Sequence, residues 1–134
     1  MVLPGAQALF GFQLAIVLTQ SFEQLPTVSK LVHAASLCLV ALAVMLLMAP
    51  APYHRIVYAG EDTEDVYRVG SALVTGATLP LGLGLAGDVY VVMERISGSF
   101  AIGLFAGGLA LILLIGLWYI YPLAVAGTRR RLER

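Results

Sequence analysis

Two stretches decide the class of this protein: SLCLVALAVMLLMA at Ser36–Ala49 and LALILLIGLWYIYPL at Leu109–Leu123. Neither contains a charged residue. Each lies within an apolar run close to the roughly 20 residues that a helix needs to cross the hydrocarbon core of a bilayer. A transmembrane barrel would instead show ten-residue segments of alternating polarity. Both stretches therefore read as membrane-spanning helices.

Composition points the same way. Of 134 residues, 60% are hydrophobic and 12% charged, with eight Lys or Arg against eight Asp or Glu. Soluble domains carry about 25% charge, and a chain this short cannot bury so much apolar surface away from water. The balanced charge argues against a nucleic-acid partner, which needs a basic face. A single cysteine, Cys38, cannot form an intramolecular disulfide.

Working outward, four spans are expected, at about 4–21, 31–49, 69–93 and 100–123. The first is interrupted by Gln7, Gln13, Thr19 and Gln20, and it lacks the basic leader and cleavage pattern of a removable signal peptide. The third contains Pro80, five glycines and Asp88, and reads as a helix buried against its neighbours. Loop charges set the orientation. Arg129, Arg130, Arg131 and Arg134 in the tail at 124–134 join Arg55 and Arg68 of the middle loop, whereas the other two loops hold only Lys30 and Arg95. The positive-inside rule then places both termini in the cytoplasm, with Trp118, Tyr119 and Tyr121 at the cytoplasmic interface. The expected fold is one all-α domain, a four-helix transmembrane bundle whose surroundings are lipid.

The middle loop at 50–68 is the one sizeable polar segment. Pro50 and Pro52 are expected to end the second helix. Gly60 marks a turn, and Asp62 with Asp65 three residues later predicts a helix start near Asp62. His54 and Arg55 lie close in sequence to Glu61, Asp62 and Asp65, which predicts an ion-paired elbow or, in a sharper reading, a docking surface for a partner or an anionic headgroup.

PGAQALFGFQ at Pro4–Gln13, LMAPAPYHRIVYAGEDTED at Leu47–Asp65 and LGLAGDVYVV at Leu83–Val92 together resemble a family of small bacterial four-helix membrane proteins of unknown function. The likeness extends to about Ile96. It implies a multi-pass protein of the bacterial inner membrane and supplies no catalytic residues, although some members carry an automatic sodium–proton antiporter label.

Few polar residues remain inside the spans. Asp88 is the sharpest candidate, because an intramembrane carboxylate normally faces a bundle interior or water and often marks an ion or proton path. His33 could pair with it and relay protons, or in a minor reading ligate a chlorin pigment. Gln13 and Gln20, a heptad apart, are expected to share one face of the first helix and to act as hydrogen-bonding glue or as a polar lining. Gly82, Gly84 and Gly87 spell G-x-G-x-x-G, but without a preceding strand this is no dinucleotide fingerprint. With Gly103 and Gly107 they predict close helix packing, and Pro80 could break the third helix. No enzyme triad, nucleotide loop or metal spacing is present. The reading is therefore a non-catalytic accessory or scaffold subunit, packing against other membrane proteins or a homo-oligomer and needing no cofactor. The alternative is an ion or proton pathway through Asp88, His33 and the glutamines.

Overall fold

The computed structural model describes residues 2–59, 61 and 63–132, the side chains of 130–132 excepted, and every regular element in it is helical. Gly60, Asp62 and Arg134, and with Asp62 the expected helix start there, lie outside the described residues. Helix α1 covers Leu3–Val17, followed by a single turn, α2, at Gln20–Glu23. Helix α3 covers Thr27–Met48 and α4 covers Pro50–Val57. The long α5 runs over Glu64–Ser97, and α6 over Phe100–Ile115. A π-helical segment at Gly116–Ile120 leads into α7 at Tyr121–Leu132. Three helical stretches, Thr27–Val57, Glu64–Ser97 and Phe100–Arg129, are long and apolar enough to cross a membrane, as a multi-pass protein requires. Helix α1, with 15 residues, is shorter than the expected first span.

The shortening has a local cause. Leu18 leaves helical geometry, and Thr19 is extended at φ −96° and ψ 148°. Its hydroxyl accepts from Phe22 N at 3.3 Å and donates to the Ile16 carbonyl at 2.7 Å. Threonine caps a new turn more readily than it continues an old one, because its side chain competes for backbone groups. The first apolar run is thus split at the residue that seemed only a polar interruption.

The second junction runs the other way. Pro50 and Pro52 do not terminate the helical path, since Ala49 keeps helical angles and Tyr53 N donates to the Ala49 carbonyl at 3.2 Å. Pro50 occupies the first turn of α4, where a missing N–H costs nothing. Among the described residues, the non-helical part of the middle loop shrinks to Tyr58, Ala59, Glu61 and Thr63. Thr63 supplies the N-cap of α5, its hydroxyl accepting from Val66 N at 3.4 Å.

Helix α5 forms the centre of the bundle, packed against α3 on one side and α6 on the other, while α1 lies mainly against α3. It stays helical through Pro80, so the broken-helix expectation fails. The proline is buried, and its freed backbone position is absorbed without interrupting the helix. At 34 residues α5 is about 51 Å long, longer than the roughly 30 Å hydrocarbon core.

Glycines set how closely the three long helices approach. A Cβ on Gly84 would lie 2.7 Å from Val40 Cγ2 and 3.1 Å from the Ser36 carbonyl, and one on Gly87 would meet the Ser36 hydroxyl. On α6, a Cβ on Gly103 would lie 2.9 Å from Glu94 Cβ, and one on Gly107 2.9 Å from Tyr90 Cβ. Gly82 differs from the expectation, because its nearest neighbour, the Trp118 ring, would be at an ordinary 3.5 Å. The π segment accounts for that ring, since one extra residue per turn rotates the following side chains relative to an α-helix. Trp118 packs beside the core of Ala6, Val40, Ala43 and Leu81. Tyr119 OH sits 2.6 Å from the Thr78 hydroxyl, so both rings engage α5 or the core, and Tyr121 alone of the three is exposed.

Helix α5 ends on Gly98, at φ +66°, whose N–H donates to the Glu94 carbonyl at 2.8 Å. No atom would crowd a Cβ there, so Gly98→Ala tests the left-handed cap alone. A loss of about 1 kcal/mol in thermal or denaturant unfolding is expected.

Candidate functional site

The buried stripe of α3 contains Ser29, His33, Ser36, Val40 and Ala43, spaced alternately by four and three residues. Facing α5 and α1, this stripe carries His33 into a three-helix polar cluster. Gln13 Nε2 donates to Asp88 Oδ2 at 2.7 Å. His33 Nδ1 lies 3.6 Å from Asp88 Oδ1, and His33 Nε2 lies 3.1 Å from the Gln13 backbone carbonyl. The Phe22 ring meets the imidazole edge-on, with centroids 5.3 Å apart. Gln13 and His33 are 2% and 3% exposed, whereas the Asp88 side chain retains 18%.

Chemistry fixes the protonation pattern. A carbonyl only accepts, so His33 Nε2 carries a hydrogen. The neutral imidazole then turns the Nδ1 lone pair toward Asp88, which is repulsive if the carboxylate is ionised. Nδ1 and Asp88 are complementary when they hold one proton between them, as imidazolium with carboxylate or as imidazole with carboxylic acid. Both ring nitrogens face protein partners, leaving none directed to a chlorin metal.

Three of the four expected site residues, Gln13, His33 and Asp88, thus come together. Gln20 does not. The break at Thr19 destroys the heptad relation with Gln13, and Gln20 lies exposed on α2. His33 lies about 9 Å along its helix, because α3 begins at Thr27 rather than about residue 31.

The cluster forms the floor of a cleft of about 540 Å³ between α1 and α5. Leu9, Phe12, Ile16, Phe22, Leu25 and Val92 contribute its apolar walls, and Arg95 lies on its rim. Arg95 donates to Gln24 Oε1 at 3.0 Å. A further polar group, absent from the sequence expectations, lies nearby on α3 and α5. The Ser29 hydroxyl donates to Glu94 Oε2, and Tyr90 packs edge-on to Phe100 with its hydroxyl buried. Its signal was available, as Ser29 and Ser36 share the helical register of His33. Among the described residues, no three of His, Cys, Asp and Glu assemble into a metal-binding group.

At the elbow two polar contacts fall among the described residues. Asp65 meets Arg68 one turn along its own helix at 3.0 Å, and His54 Nε2 lies 3.2 Å from the Glu61 backbone carbonyl. Arg55 is exposed. The i,i+3 relation makes Arg68 the nearer partner for Asp65.

A family of unknown function (DUF6328) matches residues 1–122, and the chain belongs to that family. No curated protein and no solved structure matches it.

Proposed function

We propose that this member of the family is a non-catalytic multi-pass protein of the bacterial inner membrane, an accessory or scaffold subunit packing against a larger membrane complex or a second copy of itself. In this reading α1 is a short fourth span, both termini are cytoplasmic, and the polar cluster latches α1 to the three-helix core. The observation that carries it is the region below the cluster. From Ala34 to Pro52 in α3 and α4, from Val69 to Gly87 in α5 and from Phe100 to Thr128 in α6 and α7 there is no ionisable residue but Cys38, Tyr119 and Tyr121. The packed centre there is apolar, built on Ala6, Val40, Ala43 and Leu81. A carrier needs an ionisable or polar route across the membrane, and one proton-holding pair at one depth does not provide it.

The cleft beside Asp88 favours a second reading, in which the His33–Asp88 pair loads an ion or proton and a homo-oligomer completes the path. Reconstitution separates the two. The scaffold reading expects proteoliposomes to show background proton and sodium flux, unchanged by Asp88→Asn, and gentle extraction from native membrane to yield a larger assembly. A pH- or sodium-dependent flux abolished by Asp88→Asn would install the second reading in its place.

A further inference from the structure

The cleft between α1 and α5 has a composition that a latch does not need. Its floor presents acceptors. Asp88 keeps part of its carboxylate exposed although its partners are almost wholly buried. Gln13 has committed its amide nitrogen to Asp88, and its Oε1 is buried with no hydrogen-bond partner. With its partly exposed carboxylate, the floor is complementary to something that donates or is positively charged. The walls are aromatic and aliphatic. The volume of about 540 Å³ falls in the range of ordinary small-molecule sites, about 300–1,000 Å³.

The charges lining the cleft choose the ligand's sign. His33, Asp88 and Arg95 are its titratable lining groups. Arg95 lies seven residues beyond Asp88, about 10 Å along α5, and its guanidinium is engaged by Gln24. A positive head on the floor therefore lies beside the carboxylate and well below the arginine. A lipid acyl chain in the same place offers the exposed part of Asp88 neither a donor nor a positive charge.

We propose that this cleft is a binding site for a lipophilic cation, whose ammonium or similar head rests against Asp88 and whose apolar body lies between Phe12, Ile16, Phe22 and Val92. The site is independent of the scaffold reading, because it requires no passage across the membrane.

The full chain in phosphatidylcholine nanodiscs, with empty discs subtracted, provides the test. Equilibrium dialysis compares naphthalen-1-ylmethylamine, protonated at neutral pH, with the neutral naphthalen-1-ylmethanol. One saturable amine site per chain is expected, at least tenfold tighter than the alcohol. Asp88→Asn removes the preference for the amine. Phe12→Ala, at a 70% exposed position where truncation spares the packed core, weakens both ligands severalfold. Equal affinity of amine and alcohol for the unmodified protein, or no saturable amine binding, overturns the proposal without reference to any variant.

Discussion

Gly107→Val is expected to unseat α6 from α5, while the adjacent Gly108→Val leaves the bundle folded. The two glycines share a helix, a depth and a backbone conformation, so helix propensity affects them alike. Their surroundings do not match. A Cβ on Gly107 would lie 2.9 Å from Tyr90 Cβ, 3.0 Å from the Ala86 carbonyl and 3.4 Å from Tyr90 Cα, whereas nothing stands within 4 Å of a Cβ on Gly108. Backbone atoms cannot rotate aside, and Tyr90 is buried at 6% exposure, so α6 must move outward. Between membrane helices the attraction is mainly close packing, which separation forfeits quickly. The overpacking loss at Gly107 is about 1–3 kcal/mol, or more once both valine methyls are counted. Gly108→Ala is expected to be neutral or stabilising. Unfolding monitored through Trp118 fluorescence in detergent measures both. Equal losses at the two positions would show that the α5–α6 approach is looser than these distances state.

Why some of this could be read from sequence and some could not is clear at particular residues. The long helices follow from apolar runs, because a run without charges has few alternatives to spanning a bilayer. Gly84, Gly87, Gly103 and Gly107 could be assigned to packing for the same reason, since small residues at helical spacing on apolar helices serve few other ends. Gln20 was misplaced because its register depended on helix continuity across Thr19, where one hydroxyl stabilises a break. Pro50 shows the converse. A proline permits the first turn of a helix as readily as it forbids an interior, and only the geometry of Ala49 decides. Trp118 packs against the core from within a π segment over Gly116–Ile120, a contact that its amphipathic ring does not reveal, and no residue pattern announces such a bulge. The Gln13–His33–Asp88 cluster lies between these cases. Its members were evident as the rare polar groups in apolar spans, but their convergence, 75 residues apart in sequence for Gln13 and Asp88, is a property of packing.

That convergence yields the other large effect. Asp88→Ala removes the acceptor of the Gln13 amide and the counter-charge of His33 together, while both partners stay buried. Breaking a buried pair from one side typically costs about 3–5 kcal/mol, and the partial exposure of Asp88 places this case at the lower end. Asp88→Asn retains an acceptor oxygen for Gln13 and is expected to cost about half as much. Gln13→Leu leaves Asp88 with His33 alone and loses a hydrogen bond to a charged group, worth about 1.5–3 kcal/mol in water-soluble proteins and nearer 0.6–1.7 in membranes. The diagnostic measurement is the cycle. Gln13→Leu with Asp88→Leu removes donor and acceptor together, and replacing both partners by apolar groups is often nearly neutral. The double variant should therefore lose less than the sum of its single changes, by about 1–2 kcal/mol. Additive losses would mean that the 2.7 Å contact contributes nothing to holding α1. Because α1 lies mainly against α3 and meets α5 through this contact, the same cycle read by proteolysis of α1 tests the latch itself: cleavage should accelerate in each single variant, and in the double by less than the two effects combined.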